Sequence, residues 1–308
     1  MKRSLLLLCM LLALIMPTNA LAHITNEQNL YEDLQYSEAK AQIVYLSGLG
    51  VIAADHGTAL FSPKEKLTRA ELAYWAGSFF KLAGKEAKHE EIAQAAVAKG
   101  LVPSLEGNAT YEDVNQAYFQ GKVQVKKAKD EVTREAFAQF VYEHRGKTLH
   151  EQAGFFQGPV GKVDKVTSLE EKDAAGNSMK SYIVKIADQP YKITAHPKIV
   201  QAPVDPTEWE GRTIEESWMV SSDGSQEKQL QLIQFTKSAK QAQQAASQPA
   251  GNDHANHANH GQTDLAGQEE GTGFPFVPVI LVVLLVGIVG ALLLGRKKKQ
   301  LQKESLTE

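Results

Sequence analysis

Cysteine is almost absent: of 308 residues only Cys9 carries a thiol. It sits in an apolar N-terminal stretch, and Leu8 precedes it where a lipidation site needs a small residue. An exported chain that loses this stretch has no disulfide, no thiolate metal site and no cysteine nucleophile. Ordinary hydrophobic cores must then stabilise it, which fits bacterial surface proteins better than small secreted animal domains. An excess of one charge is also missing, since 33 basic and 36 acidic residues leave a net charge of -3. The basic residues are interspersed with acidic ones, so no basic face for nucleic acid is expected. No carboxylate pair, nucleophile or base stands at a spacing that proposes a reaction, and the chain reads as non-enzymatic.

Only two apolar runs are long. The first, residues 5–16, follows Lys2 and Arg3 and leads to Ala20-Leu21-Ala22. These are the charged start, apolar middle and small-x-small site of a secretory signal over residues 1–22. Cleavage there makes His23 the first mature residue. Its amine and imidazole form a potential copper chelate, or else the position is an accident of cleavage. The second run, residues 274–295, has the length of a bilayer span and no charge. Arg296, Lys297, Lys298 and Lys299 follow it and mark the cytoplasmic side. A sortase signal shares this second half, but the upstream place reads Glu269-Glu270-Gly271-Thr272-Gly273 and keeps only Thr-Gly of the required motif. The expectation is a single-pass cell-membrane protein with its mass outside and a tail, 296–308, inside. Gly287 and Ala291 form a small-xxx-small pair that lets two spans pack closely.

Between these runs the texture changes twice. Residues 29–145 are helical in pattern. Ser37 is the expected N-cap of a helix carrying Ile43 and Leu46 and ending near Gly48 and Gly50. Thr68 and Glu71 form a capping box ahead of an apolar face at Leu72, Trp75, Ala76 and Phe79. A partial repeat follows: Ile92, Ala93, Ala96 and Val97, then Gly100-Leu101-Val102, then Val132-Thr133-Arg134-Glu135 before Phe137, Phe140 and Val141. The second copy is longer between Gly100 and Thr133, through an insertion or degeneracy.

These residues resemble the S-layer homology domain, a module that attaches proteins to bacterial cell walls. The resemblance lies in Tyr31-Glu32-Asp33, Gly50-Val51-Ile52, Phe61-Ser62-Pro63 and Thr68-Arg69-Ala70-Glu71. It covers one repeat at about 31–82 and a degenerate one at about 88–145, within a helical region of 23–150. The family's first-helix tryptophan is absent, and Ala53-Ala54 stands where a glycine-aromatic pair is usual. Members generally use three such repeats around a pseudo-threefold axis, of which two are legible here. The resemblance implies binding of cell-wall polysaccharide with acidic pyruvyl groups, and it implies Arg69 and Arg134 as glycan contacts. A guanidinium at a helix N-terminus suits a carboxylate; the alternative is a solvated arginine beside a structural cap.

Residues 160–166, 182–186, 191–194, 213–220 and 229–235 alternate as short strands, with turns at 174–177 and 222–224. They predict a small antiparallel β-barrel or OB-like domain over 151–237. Asp205, Glu208, Glu215 and Glu216 read as solvated, and Trp209 and Trp218 as core. Residues 238–273 lack any aromatic and are too polar to fold alone, so a disordered stalk is expected. Within it, Asp253, His254, His257 and His260 offer ligands to one exchangeable copper or zinc ion. The alternative is a low-complexity repeat without metal.

The expected fold class is therefore α+β and multidomain, with the stalk and a transmembrane helix at the C-terminal end. The expected function is a non-enzymatic envelope protein whose partner is cell-wall polysaccharide or another envelope protein. The competing expectation is extracytoplasmic copper or zinc binding through the stalk.

Overall fold

Threonine sets three of the described helix starts. In the computed structural model, which describes residues 20–21, 23–53, 59–84, 86–172, 178–221 and 227–237, three helices begin at a threonine cap. The expected stalk and transmembrane segment lie outside these residues, as do residues 1–19 and 22 of the expected signal. Among the described residues no helix is long and apolar enough to cross a membrane. All the described residues fall in one compact unit, Met1–Pro249.

The helices are α1 (Lys40–Leu49), α2 (Arg69–Phe79), α3 (His89–Ala98), α4 (Tyr111–Phe119), α5 (Arg134–His144) and α6 (Lys147–Gln152). Helix α1 starts later than expected. Ser37 is not its N-cap; its hydroxyl accepts from Ala39 N at 3.0 Å in the turn before the helix and donates to Glu135 Oε2 at 3.0 Å. The predicted stop is present: Gly50 is left-handed at φ 79°, and the amides of Gly50 and Val51 return to carbonyls of the last turn. Gly77 has a different role. A Cβ there would lie 2.6 Å from the carbonyl of Ile92, so only glycine lets α2 and α3 pack this closely.

Helices α2, α4 and α5 are related by position. Thr68, Thr110 and Thr133 each accept from the backbone amide three residues on. Just before them, the backbones of Leu67, Ala109 and Val132 close a ring. Leu67 N donates to Val132 O at 3.0 Å, Val132 N to Ala109 O at 3.0 Å, and Ala109 N to Leu67 O at 2.8 Å. A second cyclic set joins Arg69 N to Gly107 O, Tyr111 N to Asp130 O and Arg134 N to Glu65 O, at 3.0, 3.1 and 3.0 Å. Leu67, Ala109 and Val132 are fully buried, as are Leu72, Val114 and Phe137 one turn into the helices. There are thus three equivalent cap-and-helix segments, one more than the two repeats read from sequence. The extra segment, Thr110-Tyr111-Glu112-Asp113, falls within the stretch expected to be an insertion. It lacks the arginine, and the step from Thr110 to Thr133 is too short for a second helical arm, so its period is hidden.

The strands are β1 (Ala20–Leu21), β2 (Phe156–Gln157), β3 (Gly161–Lys172), β4 (Ser178–Ile186), β5 (Gln189–Val200), β6 (Thr213–Ser221) and β7 (Lys228–Phe235). They run in the order β1-β4-β3-β6-β7-β5, with β2 on β6 and a further β4–β5 pairing. The five long strands match the expected ones, but the expected antiparallel barrel needs correction. The β5–β7 pairing is parallel, with Ile199 opposite Ile233. The sheet is not a closed barrel, because β3 meets β6 only at Gly161↔Ile214 and Lys162↔Thr213, beside an irregularity at Val163/Lys165. Its core holds Val163, Val184, Ile199, Ile214, Ile233 and Phe235, with the buried Trp209 at one end. Leu232, Val200 and Trp218 instead join the helical core. Strand β7 thereby serves both cores, with Leu232 in the helical one and Leu230, Ile233 and Phe235 in that of the sheet.

Leu67 lies on the ring and is fully buried, whereas Leu60 is 52% exposed. Leu67→Ala is expected to cost about 2–5 kcal/mol and Leu60→Ala under about 0.5 kcal/mol in urea unfolding.

Candidate functional site

The two arginines implied as glycan contacts occupy equivalent places, each first in its helix. Arg69 Nε donates to Asp113 Oδ2 at 2.9 Å, and its Nη1 reaches Glu106 O at 3.3 Å. Arg134 Nε donates to Glu71 Oε1 and Oε2 at 2.9 and 3.1 Å, and Nη1 to Glu65 Oε2 at 2.9 Å. Each arginine therefore grips the third residue of the neighbouring capped helix. Asp113 also receives the amide and hydroxyl of Thr110, at 2.9 and 3.1 Å. The same step from α4 to α5 would join Tyr111 to Ala136, so that junction has no ion pair; there Tyr111 packs edge-on against Phe140, centroids 5.5 Å apart. The arginine side chains are 28% and 20% exposed. Both guanidinium groups thus join helix to helix while staying partly exposed. The Asp33 of the aromatic-x-Asp motif has a structural task, accepting from Phe61 N at 2.8 Å and Ser62 N at 2.7 Å.

Asp253, His254, His257 and His260 lie outside the described residues. Among the described residues no three His, Cys, Asp or Glu side chains are grouped to hold a metal ion. A cavity of about 330 Å³ opens between the ends of α1 and α2 and strands β6 and β7, lined by Ser47, Leu49, Phe79, Lys81, Phe155 and Gln231 among others. Among the described residues no carboxylate lines it.

One cluster was not legible in the sequence. Where α1, α5 and α6 meet β6, the Tyr45 hydroxyl lies 2.6 Å from Glu216 Oε1 and 2.6 Å from His150 Nε2. Trp218 Nε1 donates to Glu216 Oε1 at 2.8 Å and to Tyr45 Oη at 3.0 Å. Arg145 donates to Glu216 Oε2 at 2.8 Å and stacks on Tyr142, 3.6 Å from the ring centre. The His150 ring stacks on Trp218 at 3.8 Å and 11°. Glu216, expected to be solvated, is instead the acceptor at the centre of this network. Burial pushes it up, but the bonds from Tyr45 and Trp218 and the charge of Arg145 outweigh this and hold it below its usual range. Burial also lowers His150, against the Gly146 carbonyl and Glu216, which favour its charged form. Tyr45 is pushed up, first by burial and then by Glu216. The members come from sequence positions up to 173 apart, and no local spacing announces them. The cluster joins the helices to the sheet.

Two measurements follow from this geometry. A double-mutant cycle between Arg69 and Asp113 is expected to give a coupling of about 1–3 kcal/mol, and a value near zero would remove the junction's structural role. Both depressed groups stabilise the fold above their ordinary values and lose that contribution as pH falls. Loss begins below the ordinary 6.5 of His150 and is joined below 4.5 by Glu216. Between about pH 6.5 and 4.5 unfolding free energy is expected to fall by up to about 1.4 kcal/mol per pH unit through His150, and less steeply in His150→Gln.

No family model, no curated protein and no solved structure matches this chain.

Proposed function

We propose that the protein is a non-enzymatic envelope protein, held by the span at residues 274–295, whose helical module takes an acidic cell-wall glycan. The observation that carries this reading is the cyclic arrangement of Thr68, Thr110 and Thr133. It supports the S-layer homology resemblance by supplying the third segment that the sequence hid. The partly exposed guanidinium groups of Arg69 and Arg134 have the chemistry for a carboxylate, each beside a helix N-terminus. The β-sheet is read as OB-like. A meander of β3, β4 and β5, a parallel β5–β7 pair and a short β3–β6 contact support a partly open five-stranded module of that kind. Such modules bind many ligands, and the fold alone names none. The alternative of copper or zinc held by Asp253, His254, His257 and His260 rests on their spacing.

The test is co-sedimentation of the secreted protein with purified cell wall and with wall stripped of its pyruvyl groups. Binding is expected to the first and to fall at least about tenfold on the second and in Arg134→Ala, with unfolding curves checking that the variant is folded. Equal binding to both walls would sink the glycan reading.

A further inference from the structure

The sequence makes His23 the first residue after signal cleavage, and the structure sets a second imidazole beside it. The segment after residue 22 runs along β5. His23 N donates to Ala195 O at 2.9 Å, Thr25 N to Pro197 O at 3.1 Å, and Ile199 N to Thr25 O at 2.8 Å. Ile24 is buried in the sheet core, and Asn26 Nδ2 donates to Ala202 O at 2.8 Å. His196 lies on β5 next to its register shift, and its carbonyl is held by Gln231 Nε2 at 3.0 Å. The rings of His23 and His196 are 6.4 Å apart, centre to centre, and both residues are exposed.

That distance has a chemical meaning. With metal–nitrogen bonds of about 2.0–2.1 Å and a ligating nitrogen about 1.1 Å from its ring centre, two imidazoles facing each other across one ion have centres about 6.3 Å apart. A free α-amine on His23 supplies a third nitrogen from the same residue. It closes a six-membered chelate ring with Nδ1 of its own residue. A neutral amine keeps one N–H for Ala195 O and offers its lone pair to the ion. Three nitrogens in this layout suit the tetragonal preference of Cu(II).

The geometry points to a copper site formed by the His23 amine, the His23 imidazole and the His196 imidazole, created by removal of residues 1–22. It rests on the expected cleavage and is independent of glycan binding and of the stalk histidines. Because strand pairing already holds the backbone on both sides, less ordering is needed on binding than in a flexible tract.

The test uses the full secreted chain with His254, His257 and His260 changed to Ala throughout. N-terminal sequencing of the purified protein is expected to read His-Ile-Thr; any other start overturns the site. Cu(II) titration is expected to fill one site, with electron paramagnetic resonance showing nitrogen ligation. His196→Ala, and separately a Gly-Ser-Gly-Ser extension ahead of His23, are expected to weaken binding at least about tenfold, since even loss of an outer-shell partner reaches that size. Circular dichroism checks that each variant is folded. Equal affinity in all three chains, or copper binding that vanishes once the stalk histidines are removed, would overturn the proposal.

Discussion

Three peptide groups, at Leu67, Ala109 and Val132, each donate to one neighbour and accept from another in a closed ring. Buried backbone groups must find partners, and here each partner comes from a different segment. The ring therefore orders three segments only when all are present. Each threonine cap sits one residue beyond it, so the same contact fixes where α2, α4 and α5 begin and how their apolar faces converge. The arginine–carboxylate junctions are consequences of this placement. The first position of one helix is brought to the third position of the next, where a guanidinium meets Asp113 or Glu71.

The sheet is tied to this centre by different physics. Helix α1 packs on β5 and β7, and apolar residues of both parts form one core. Within that core, Tyr45, His150, Glu216, Trp218 and Arg145 satisfy most of one another's polar groups, Arg145 Nε being the exception. A buried polar network is costly unless nearly complete, so it specifies one docking of helices on sheet more sharply than apolar contact alone. It also makes that joint sensitive to acid, because burial opposes an imidazolium on His150.

The local devices were legible because each is short. The cap at Thr68 and the glycine stop at Gly50 need only a few residues, and the five strands declare themselves by alternation, but the Glu71 carboxylate expected to complete a capping box goes to Arg134 instead. Ser37 misled because a serine hydroxyl caps a turn as readily as a helix, and here it caps the turn before Lys40. Tyr111 conceals the third segment because it stands where the other two carry an arginine, leaving only the Thr110 cap in common. Glu216 read as solvated because alternation places it on a strand but cannot say that Tyr45 and Arg145 cover it.

The sequence by itself determined local elements: the helix starts at Thr68 and Thr133, the glycine that ends α1, and the runs that form strands. These follow from side-chain capping and period, which act within a few residues. Only the tertiary structure decided the partners. The threefold ring, the parallel β5–β7 pairing, the Tyr45–Glu216–His150 cluster and the approach of His23 to His196 all join residues far apart in the chain. Such pairings are chosen by how whole surfaces bury together, and no local pattern carries that information.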